Sequence, residues 1–512
     1  MSKLPHVYPT VVHMLAATAA LVPQREALVC LDERLNYGQY LRCVARFAHE
    51  LIGLGASGKR VGILLGNSLD ICVAMFAIHA ASAQATPCNP LYTERELRTI
   101  FEDADLHVLI YTDDKRGTIE TIADELGIPH RIPIADDARR LTVGRDAEDV
   151  ALPLPTPDEL ATLQYTGGTT GRPKGVNLTH RAVAVNISQR EALVQVPQDG
   201  QRLLCVMPLF HVYAMGMGLY NMAYAGGTLV VLPRYTPDTV LDALVREQIT
   251  LFAGSPTLFI SLLAHPDFSR TDFSKLQQSY SGSAALPEEL LRRWESSTGA
   301  PIIEGYGQSE AGPVITFNPT HGARKAGSVG VPVPNALVEI VDLDEGTRAL
   351  AVGEKGEIRV RGPSVMTGYR NLPDETAATL RNGWLYTGDI GELDTDGYLF
   401  IRDRKKEMAI VSGFNVFPRE IEEVLYLHPG VQEAAVVAMP DAYRGEVVNA
   451  FVVPRASHRV TVEQLVEHCK TNLAKYKVPA TFNLVTTLPK TVVGKIDKNQ
   501  LRAELGLSPY RL

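Results

Sequence analysis

Short apolar runs alternate with helical segments through the first half of this 512-residue chain, and no other feature constrains its fold as strongly. Apolar residues recur at helical spacing over residues 40–54, and residues 60–65 follow as a short run typical of a buried strand. Thr93 and Glu96 then predict a capping box at the start of another helix, which leads into the strand-like residues 107–111. Strands separated by helices of this length predict βαβ units and a mostly parallel sheet.

The sequence changes character near residue 327, where short strand-like runs are punctuated by Gly, Pro and Asp. These runs predict a small β-rich unit with strands at 338–342, 356–361 and 398–401. A dense charged stretch at 402–407 then ends this part of the chain.

The segment after the charged stretch mixes helical and strand-like runs, which predicts a small domain of its own. Pro418 opens a helix in its first turn, where proline is tolerated. We therefore predict an α/β protein whose large N-terminal domain, residues 1–405, holds mostly parallel α/β subdomains and the β-rich unit. Residues 406–512 form the predicted small α+β C-terminal domain, with a hinge near Lys406.

Composition and charge exclude several classes of partner and compartment. The net charge of -8 argues against nucleic acid or an anionic membrane as the main partner. The six cysteines form no C-x-x-C pair and no metal-ligand spacing, so we expect buried, reduced thiols. The start of the chain lacks the apolar core of a signal peptide, and no apolar run reaches the roughly 18 residues of a membrane span. These features predict a cytoplasmic protein without an integral membrane segment.

The loop YTGGTTGRPKG, residues 165–175, has the composition of a phosphate-binding loop. Its glycines let backbone N–H groups converge on an anion, and the hydroxyls of Thr166, Thr169 and Thr170 add donors. Lys174 supplies a positive charge, and Thr170 could also reach a metal ion. The spacing does not fit the P-loop pattern G-x-x-x-x-G-K-[ST], so we predict a polyphosphate loop of another kind. A surface loop without function is the alternative.

The loop resembles the motif T-S-G-[ST]-T-G-x-P-K-G of the acyl- and aryl-CoA synthetases, which are adenylate-forming enzymes. Gly167 stands where serine is commonest, a variant that also occurs in fatty acyl-CoA synthetases. Further matches extend over most of the chain: small residues at 281–285, Y-G-x-T-E at 306–310, W-[FLY]-x-T-G-D at 384–389 and P-K-T-x-x-G-K at 489–495. The resemblance implies that the loop wraps the β- and γ-phosphates of ATP.

The resemblance also implies roles around the nucleotide. Tyr306 stacks on adenine, Ser309 touches the carboxylate or the α-phosphate, and Glu310 holds Mg²⁺. Asp389 binds both ribose hydroxyls, and Arg404 contacts the ribose as well. The implied nucleotide-binding residues are Thr166, Gly167, Gly168, Thr169, Thr170, Gly171, Lys174, Gly282, Ser283, Ala284, Tyr306, Gly307, Ser309, Asp389, Arg404 and Lys495, with Glu310 and Thr170 as metal ligands.

The implied chemistry has two steps. A carboxylate attacks the α-phosphorus of ATP to give an acyl-adenylate, and the thiolate of coenzyme A then displaces AMP. Because two anions meet in the first step, positive charge must be focused on the α-phosphate, and the resemblance assigns this to Mg²⁺ on Glu310 and Thr170 and to Lys495. Relatives rotate the C-terminal domain between the steps, which would bring Gly413 and Phe414 to the pantetheine thiol.

His211 matches a family position at the mouth between the acyl pocket and the tunnel for coenzyme A, which implies a gating role in catalysis. A histidine in an apolar setting is more often structural, so that alternative stays open.

We therefore interpret the chain as an ATP-dependent carboxylic acid–CoA ligase that uses ATP, Mg²⁺ and coenzyme A. The expected pocket walls, 212–218, 281–285 and 305–315, are mostly small or apolar and contain no arginine, which favours a medium- to long-chain aliphatic acid over a dicarboxylate. Aryl acids, an enzyme that loads a carrier protein, and a non-catalytic relative are the alternatives. We expect a monomer or homodimer, and Lys495 is a candidate target for a lysine acetyltransferase because acetylation would remove its charge.

Overall fold

The structure, a computed structural model, describes residues 4–135, 140–166, 173–197, 200–456 and 458–508. Within these ranges the strands form four sheets. In spatial order, the largest sheet contains Val331–Pro332, Val314–Phe317, Ile302–Gly307, Gln278–Ser281, Leu251–Gly254, Arg202–Cys205, Thr228–Val231, Glu26–Cys30 and Glu33–Asn36. Its neighbours are parallel from Ile302–Gly307 to Glu26–Cys30, and the strands outside that span pair antiparallel.

A seven-stranded sheet forms the second large layer. In spatial order it contains Gly368–Tyr369, Lys174–Thr179, Leu160–Thr166, Gln84–Pro87, Arg60–Leu64, Leu106–Thr112 and His130–Ile134. Its strands are parallel from Leu160–Thr166 to His130–Ile134, whereas Lys174–Thr179 and Gly368–Tyr369 pair antiparallel. The prediction of an α/β fold with mostly parallel sheets is thus confirmed.

Helices connect these strands and cover the sheets. The α-helices of the described residues are Val11–Leu21, Tyr37–Gly53, Leu69–Ala80, Glu94–Ala104, Arg116–Glu125, His180–Leu193, Val212–Ala214, Asn221–Ala225, Pro237–Arg246, Pro256–Leu263, Glu288–Thr298, Pro373–Thr379, Pro418–Tyr426, Val462–Asn472 and Lys498–Glu504. A π-helical segment, Met215–Tyr220, continues the helix Val212–Ala214. The capping box predicted at Thr93 is confirmed, because the side chains and backbone N–H groups of Thr93 and Glu96 bond reciprocally.

The main core lies between the two large sheets. Helix Leu69–Ala80 is buried along its whole length, as an all-round apolar helix must be, and it packs in one cluster with residues from both sheets. Alternate strand residues point to opposite faces, so Leu203 and Leu251 face this core while Leu204 and Phe252 face a second cluster on the far side.

Two smaller sheets complete the fold. The predicted β-rich unit contains Leu337–Val341, Gly356–Arg361, Trp384–Leu393, Leu380–Arg381 and Leu399–Arg404, and all of its pairings are antiparallel. The C-terminal unit has a sheet of Phe414–Val416, Ala409–Val411, Gly445–Pro454, Val431–Asp441 and Thr481–Leu484 with its own apolar core. Both predicted units are confirmed, and the boundary between residues 405 and 406 stays a prediction. No helix in the described part of the chain has the length and apolar character that crossing a bilayer requires.

Candidate active site

A cleft of about 1750 Å³ opens at the carboxyl ends of two parallel strands, Gln278–Ser281 and Ile302–Gly307. Residues directly beyond those ends, 282–285 and 308–310, line it. The seven-stranded sheet, the β-rich sheet and the C-terminal unit supply the remaining walls. This is where ligands of parallel α/β sheets bind, because strand ends and the loops beyond them leave a crevice there.

Most of the site residues predicted from the sequence line this one cleft. They are Thr166, Lys174, His211, Gly282, Ser283, Ala284, Tyr306, Gly307, Ser309, Glu310, Asp389, Arg404 and Lys495. The other loop residues predicted to bind phosphate or metal lie outside the described residues: Gly167, Gly168, Thr169, Thr170 and Gly171. Gly413 and Phe414 lie away from the cleft, where the half-exposed Phe414 ring stacks on Tyr476 with centroids 4.6 Å apart.

One corner of the cleft is built around Glu310, which lies in the 3-10 turn Ser309–Ala311. The Tyr369 hydroxyl donates a hydrogen bond of 2.9 Å to Glu310 Oε1. Burial raises the pKa of the Glu310 carboxyl, and the hydrogen bonds that it accepts oppose that rise only in part. A carboxylate in this condition would be stabilised further by a nearby cation.

Lys174 faces the same corner at the start of strand Lys174–Thr179. Its Nζ atom lies 5.3 Å from the centroid of the Tyr369 ring and 2.5 Å from Glu375 Oε2. The Lys174 side chain is only 12% exposed. Lys174 and Glu310 therefore both contact Tyr369, and Glu375 is the counter-ion of the Lys174 ammonium.

A second corner joins Tyr306 to the β-rich sheet. The Tyr306 hydroxyl donates a hydrogen bond of 2.6 Å to Asp389 Oδ2, and Arg404 Nε lies 3.7 Å from Asp389 Oδ1. Burial raises the pKa of Asp389, and the charge of Arg404 opposes that rise. Strands Trp384–Leu393 and Leu399–Arg404 pair Asp389 with Arg404 directly, so the β-rich sheet sets their distance.

Glycine is required where the walls of the cleft are packed most closely. A Cβ atom on Gly307 would lie 1.9 Å from the Pro313 carbonyl oxygen, which is backbone and cannot move aside cheaply. A Cβ on Gly282 would lie 2.6 Å from Cε2 of Tyr213. The absence of these side chains lets strand Ile302–Gly307 fold back on its neighbour and lets the Tyr213 ring cover Gly282.

Lys495 reaches the cleft on a tight loop of the C-terminal unit. The Thr491 N–H donates to the Lys495 carbonyl at 2.8 Å, and the Lys495 N–H donates to Thr491 Oγ1 at 3.2 Å. The next contact crosses to the large domain, because the Thr257 hydroxyl donates a 2.7 Å hydrogen bond to the Gly494 carbonyl. The loop is therefore docked against the N-terminal end of helix Pro256–Leu263.

The ammonium of Lys495 sits among charged groups. Burial lowers the pKa of Lys495 to about 8, and the positive charge of Arg404 adds to the effect while Asp389 opposes it. Burial lowers the pKa of His211 to about 3, and the charge of Lys495 contributes to that shift. His211 is therefore neutral at physiological pH, and its Nδ1 atom accepts a 3.2 Å bond from the Tyr213 N–H.

Part of the cleft lining is apolar and is called the apolar branch below. It includes Tyr213, Met217, Val314 and Phe317, and Met217 lies on the π-helical segment. The Tyr213 hydroxyl donates to the Tyr280 carbonyl at 3.2 Å, which fixes the orientation of this lining ring.

A buried arginine lies behind this branch, which the sequence did not indicate. Arg190 stacks on the Tyr280 ring with 4.9 Å between its guanidinium carbon and the ring centroid, and it is paired with the buried Glu191. Its charge is therefore balanced within the core rather than presented to the cleft.

Sequence reasoning also missed Tyr369, Glu375 and Thr257. Tyr369 lies on a strand of only two residues, which has no detectable periodicity, and it meets Glu310 only through tertiary packing. Glu375 had a usable signal, since Pro373 opens a helix whose first turn contains acidic residues.

Comparisons with known proteins identify the family to which the chain is similar. The family model described as AMP-binding enzyme matches residues 15–370, and the model of the AMP-binding enzyme C-terminal domain matches residues 420–495. The chain is 36% identical to a long-chain-fatty-acid–CoA ligase of Bacillus subtilis, covering 98% of this chain and 96% of the relative. It is also 36% identical to a feruloyl-CoA synthase of Amycolatopsis, covering 95% and 97% of the two chains.

Solved structures show the same architecture. The crystal structure of ATP-bound MatB from Rhodopseudomonas palustris superposes with a TM-score of 0.89 at 31% sequence identity, covering 96% of this chain and 98% of that one.

Proposed function

Because this chain belongs to the AMP-binding enzyme family, we propose that it is an AMP-forming ligase that joins a medium- to long-chain fatty acid to coenzyme A. It consumes ATP and coenzyme A and proceeds through an acyl-adenylate. The observation that carries the proposal is the convergence of Lys174, Glu310, Asp389, Arg404 and Lys495 on one cleft, although they are far apart in the sequence.

The first step must overcome two obstacles. A carboxylate is a poor electrophile because its charge repels nucleophiles and oxide is a poor leaving group. Attack of a carboxylate oxygen on the α-phosphorus of ATP breaks the bond to the bridging oxygen, which leaves with pyrophosphate, and the acyl carbon then carries AMP as a good leaving group. The cleft favours this step by concentrating cations, Lys174 towards the departing pyrophosphate and Lys495 towards the α-phosphate.

The residues around Glu310 fit a bound Mg²⁺. No group of three or more His, Cys, Asp or Glu side chains that could hold a metal occurs among the described residues, and Thr170, the other predicted ligand, lies outside them. Mg²⁺ is commonly held by one or two carboxylates together with substrate phosphates. When bound, it neutralises phosphate charge. Glu310 would supply a protein ligand, and the Tyr369 hydroxyl orients its carboxylate through the 2.9 Å hydrogen bond.

Asp389, Arg404 and Tyr306 bind the nucleoside. The carboxylate of Asp389 accepts hydrogen bonds from both ribose hydroxyls, a charge-assisted pair, and in the structure the Tyr306 hydroxyl bonds one of its oxygens at 2.6 Å. Arg404, whose Nε atom lies 3.7 Å from Asp389 Oδ1, favours the ionised form of that carboxylate and contacts the ribose. Tyr306 lies between Gly305 and Gly307 in the cleft wall, and adenine would stack on its ring.

The second step uses another arrangement of the C-terminal domain. With Lys495 docked in the cleft, the structure has the arrangement that suits adenylation, whereas Gly413 and Phe414 are remote. Rotation about Lys406 would withdraw Lys495 and bring Gly413 and Phe414 to the channel for the pantetheine thiol. The thiolate then attacks the acyl carbon and AMP leaves with the bonding electrons. His211, neutral and next to Lys495, gates the passage between the acyl branch and this channel.

The walls of the apolar branch support an aliphatic acid. Met217, Val314 and Phe317 offer no charged partner to the far end of the acid, and Arg190 is already paired with Glu191. A long-chain-fatty-acid–CoA ligase is among the most similar relatives. An aryl acid is the second candidate. A feruloyl-CoA synthase has the same 36% sequence identity to this chain, and the Tyr213 ring in the lining could stack on an aromatic substrate.

A screen of pyrophosphate release tests the proposal. Purified protein is supplied with ATP and Mg²⁺ and with aliphatic, aryl or dicarboxylic acids, each with and without coenzyme A. We expect release that depends on a fatty acid of medium or long chain, and acyl-CoA only when coenzyme A is present. Preference for aryl acids would favour the second candidate, adenylation without any transfer to coenzyme A would favour a carrier-protein acceptor, and no acid-dependent release would refute the function.

Further proposals concern the cell rather than the reaction. All six cysteines are free, which suits the reducing cytoplasm that we propose as the location. We propose a monomer or homodimer. We also propose that acetylation of Lys495 switches the enzyme off, because it removes the charge that adenylation needs. Peptide mass spectrometry of protein from its own cells would contradict this if it found Lys495 always unmodified.

A further inference from the structure

A buried cluster of charges lies where the C-terminal unit joins the rest of the protein. Lys498 Nζ lies 2.9 Å from Glu422 Oε1 and 3.1 Å from Glu407 Oε2. The side chains of Lys498, Glu407 and Glu422 are each only 14–16% exposed. Ion pairs this sheltered are screened little by salt, and removal of one partner leaves the others buried without compensation.

The members of the cluster come from three separate segments. Glu407 follows the proposed hinge residue Lys406, and Glu422 lies on helix Pro418–Tyr426. Lys498 is the first residue of helix Lys498–Glu504 and comes three residues after Lys495, so the two lie within about 10 Å along the chain. The ion pairs of Lys498 therefore connect the loop that carries Lys495 to Glu407 beside the hinge and to helix Pro418–Tyr426.

The cluster also extends across the hinge. Asp403, buried at the end of strand Leu399–Arg404, accepts hydrogen bonds from the backbone N–H groups of Arg404 at 2.7 Å and of Arg419 at 3.2 Å. Burial raises the pKa of Asp403 to about 7, and the charge of Lys498 opposes that rise. Burial likewise acts to raise the pKa of Glu407, but the charges of Lys498, Arg404 and Lys406 and the hydrogen bond from Lys498 together lower it. Lys498 thus stabilises carboxylates on both sides of Lys406.

We propose that Lys498 is a positioning residue for adenylation, whose ion pairs with Glu407 and Glu422 hold the Lys495 loop in its docked orientation. The inference rests on the proposed function, since it assigns Lys498 a role in the same reaction. Lys498 acts through Lys495: the loop between residues 490 and 496 is closed by its own backbone hydrogen bonds, so a displacement at Lys498 carries over to the ammonium of Lys495.

Lys490 offers a matched control on the same loop. Its Nζ atom lies 2.7 Å from Glu433 Oε1, an ion pair of similar length, and Glu433 is buried although the Lys490 side chain is 37% exposed. Glu433, however, lies on strand Val431–Asp441 inside the C-terminal unit and has no connection to the hinge. A variant at Lys490 therefore removes a lysine and an ion pair from the loop without releasing the loop from Lys406.

The test separates the two half-reactions in the full-length protein. Adenylation is measured as acid-dependent pyrophosphate release, and thioester formation is measured from a supplied acyl-adenylate and coenzyme A. We expect Lys498→Gln to lower kcat of adenylation by about 10- to 100-fold, since misplacement of a catalytic group by about 1 Å costs up to about 100-fold. Thioester formation should stay within twofold of wild type, Lys498→Arg should recover most of the adenylation rate, and Lys490→Gln should match wild type in both assays.

Glu407→Gln keeps the test decisive if Lys498→Gln does not fold, because it leaves the ammonium paired with Glu422. It should lower adenylation by a smaller factor than Lys498→Gln, again without loss of thioester formation. Equal losses in both half-reactions, or an unchanged adenylation rate in folded Lys498→Gln or Glu407→Gln, would overturn the proposal. Failure of the function itself is distinguishable, because the wild-type protein would then show no acid-dependent pyrophosphate release.

Discussion

Replacement of Gly494 by alanine should block the docking of the Lys495 loop while leaving the fold in place. Gly494 has φ of +76°, and a Cβ atom there would lie 2.7 Å from Thr257 Oγ1 and 2.8 Å from Ser255 Oγ. Two costs follow. The left-handed backbone strains an alanine by about 1–2 kcal/mol in every arrangement of the C-terminal domain, whereas the collision with Ser255 and Thr257 arises only when the loop is docked.

The second cost determines the effect on catalysis. Overpacking by one methyl group costs about 1–3 kcal/mol, and the hydrogen bond from Thr257 to the Gly494 carbonyl is worth about 0.5–1.5 kcal/mol. A loss of about 2–3 kcal/mol in the docked arrangement corresponds to an adenylation rate about 30- to 150-fold lower. Thioester formation does not use the docked arrangement, so its rate should stay close to that of the wild type.

Gly506→Ala provides the control. Gly506 also has a positive φ, +71°, but nothing lies within 4 Å of the Cβ that would be added. Both variants should lose similar stability in thermal unfolding, and only Gly494→Ala should lose adenylation in a pyrophosphate-release assay. Similar adenylation rates in the two variants, or equal loss of both half-reactions in Gly494→Ala, would refute the reasoning.

Three other predictions follow from charges in the structure. Because the pKa of Lys495 is lowered to about 8, the ammonium is lost as pH rises through that value, and adenylation should decline above about pH 8. In a pH–rate profile of pyrophosphate release, Lys495→Arg should move this decline to higher pH. A decline that stays at the same pH would contradict the role of Lys495. Glu375→Gln should free Lys174 to bind phosphate and lower the KM for ATP by about two- to fivefold, which is the contribution expected of one partly exposed ion pair. A higher KM would show instead that Glu375 assists ATP binding. Burial lowers the pKa of His180 from 6.5 to about 4, so the unfolded chain binds the proton first as pH falls. His180 alone should therefore lower the free energy of unfolding, measured by urea titration, by about 2 kcal/mol between pH 7 and pH 5. His180→Asn should reduce that difference.

Local features of the fold were predictable because they depend on neighbours in the sequence. The capping box at Thr93 needs only residues 93–96, and the buried strand at Arg60–Leu64 follows from its apolar run. The glycine-rich wall at 305–307 was likewise recognisable, although the reason that Gly307 must be glycine is its close approach to Pro313, which is a tertiary contact. The predicted loop residues from Gly167 to Gly171 fall outside the described residues.

Contacts between distant segments could not be predicted. The resemblance assigned Asp389 to ribose, but its hydrogen bond to the Tyr306 hydroxyl spans 83 positions. Tyr369 meets Glu310 across 59 positions, and neither the strand of two residues nor any motif indicated it. Pairing of this kind depends on how sheets and loops pack, which periodicity over a few residues does not record.

The sequence by itself determined the kinds of element, and its motifs predicted which side chains meet in the cleft. Both depend on local spacing and on side-chain type. Phosphate binding by the glycine-rich loop stays a prediction. Only the tertiary structure decided that the loop of Lys495 is docked on Thr257 through the Gly494 carbonyl, while Gly413 and Phe414 lie away from the cleft. It also decided that the charge of Lys498 acts on carboxylates on both sides of Lys406. The physical reason is that burial and distance between segments set these interactions, and both are properties of the packed chain rather than of any stretch of it.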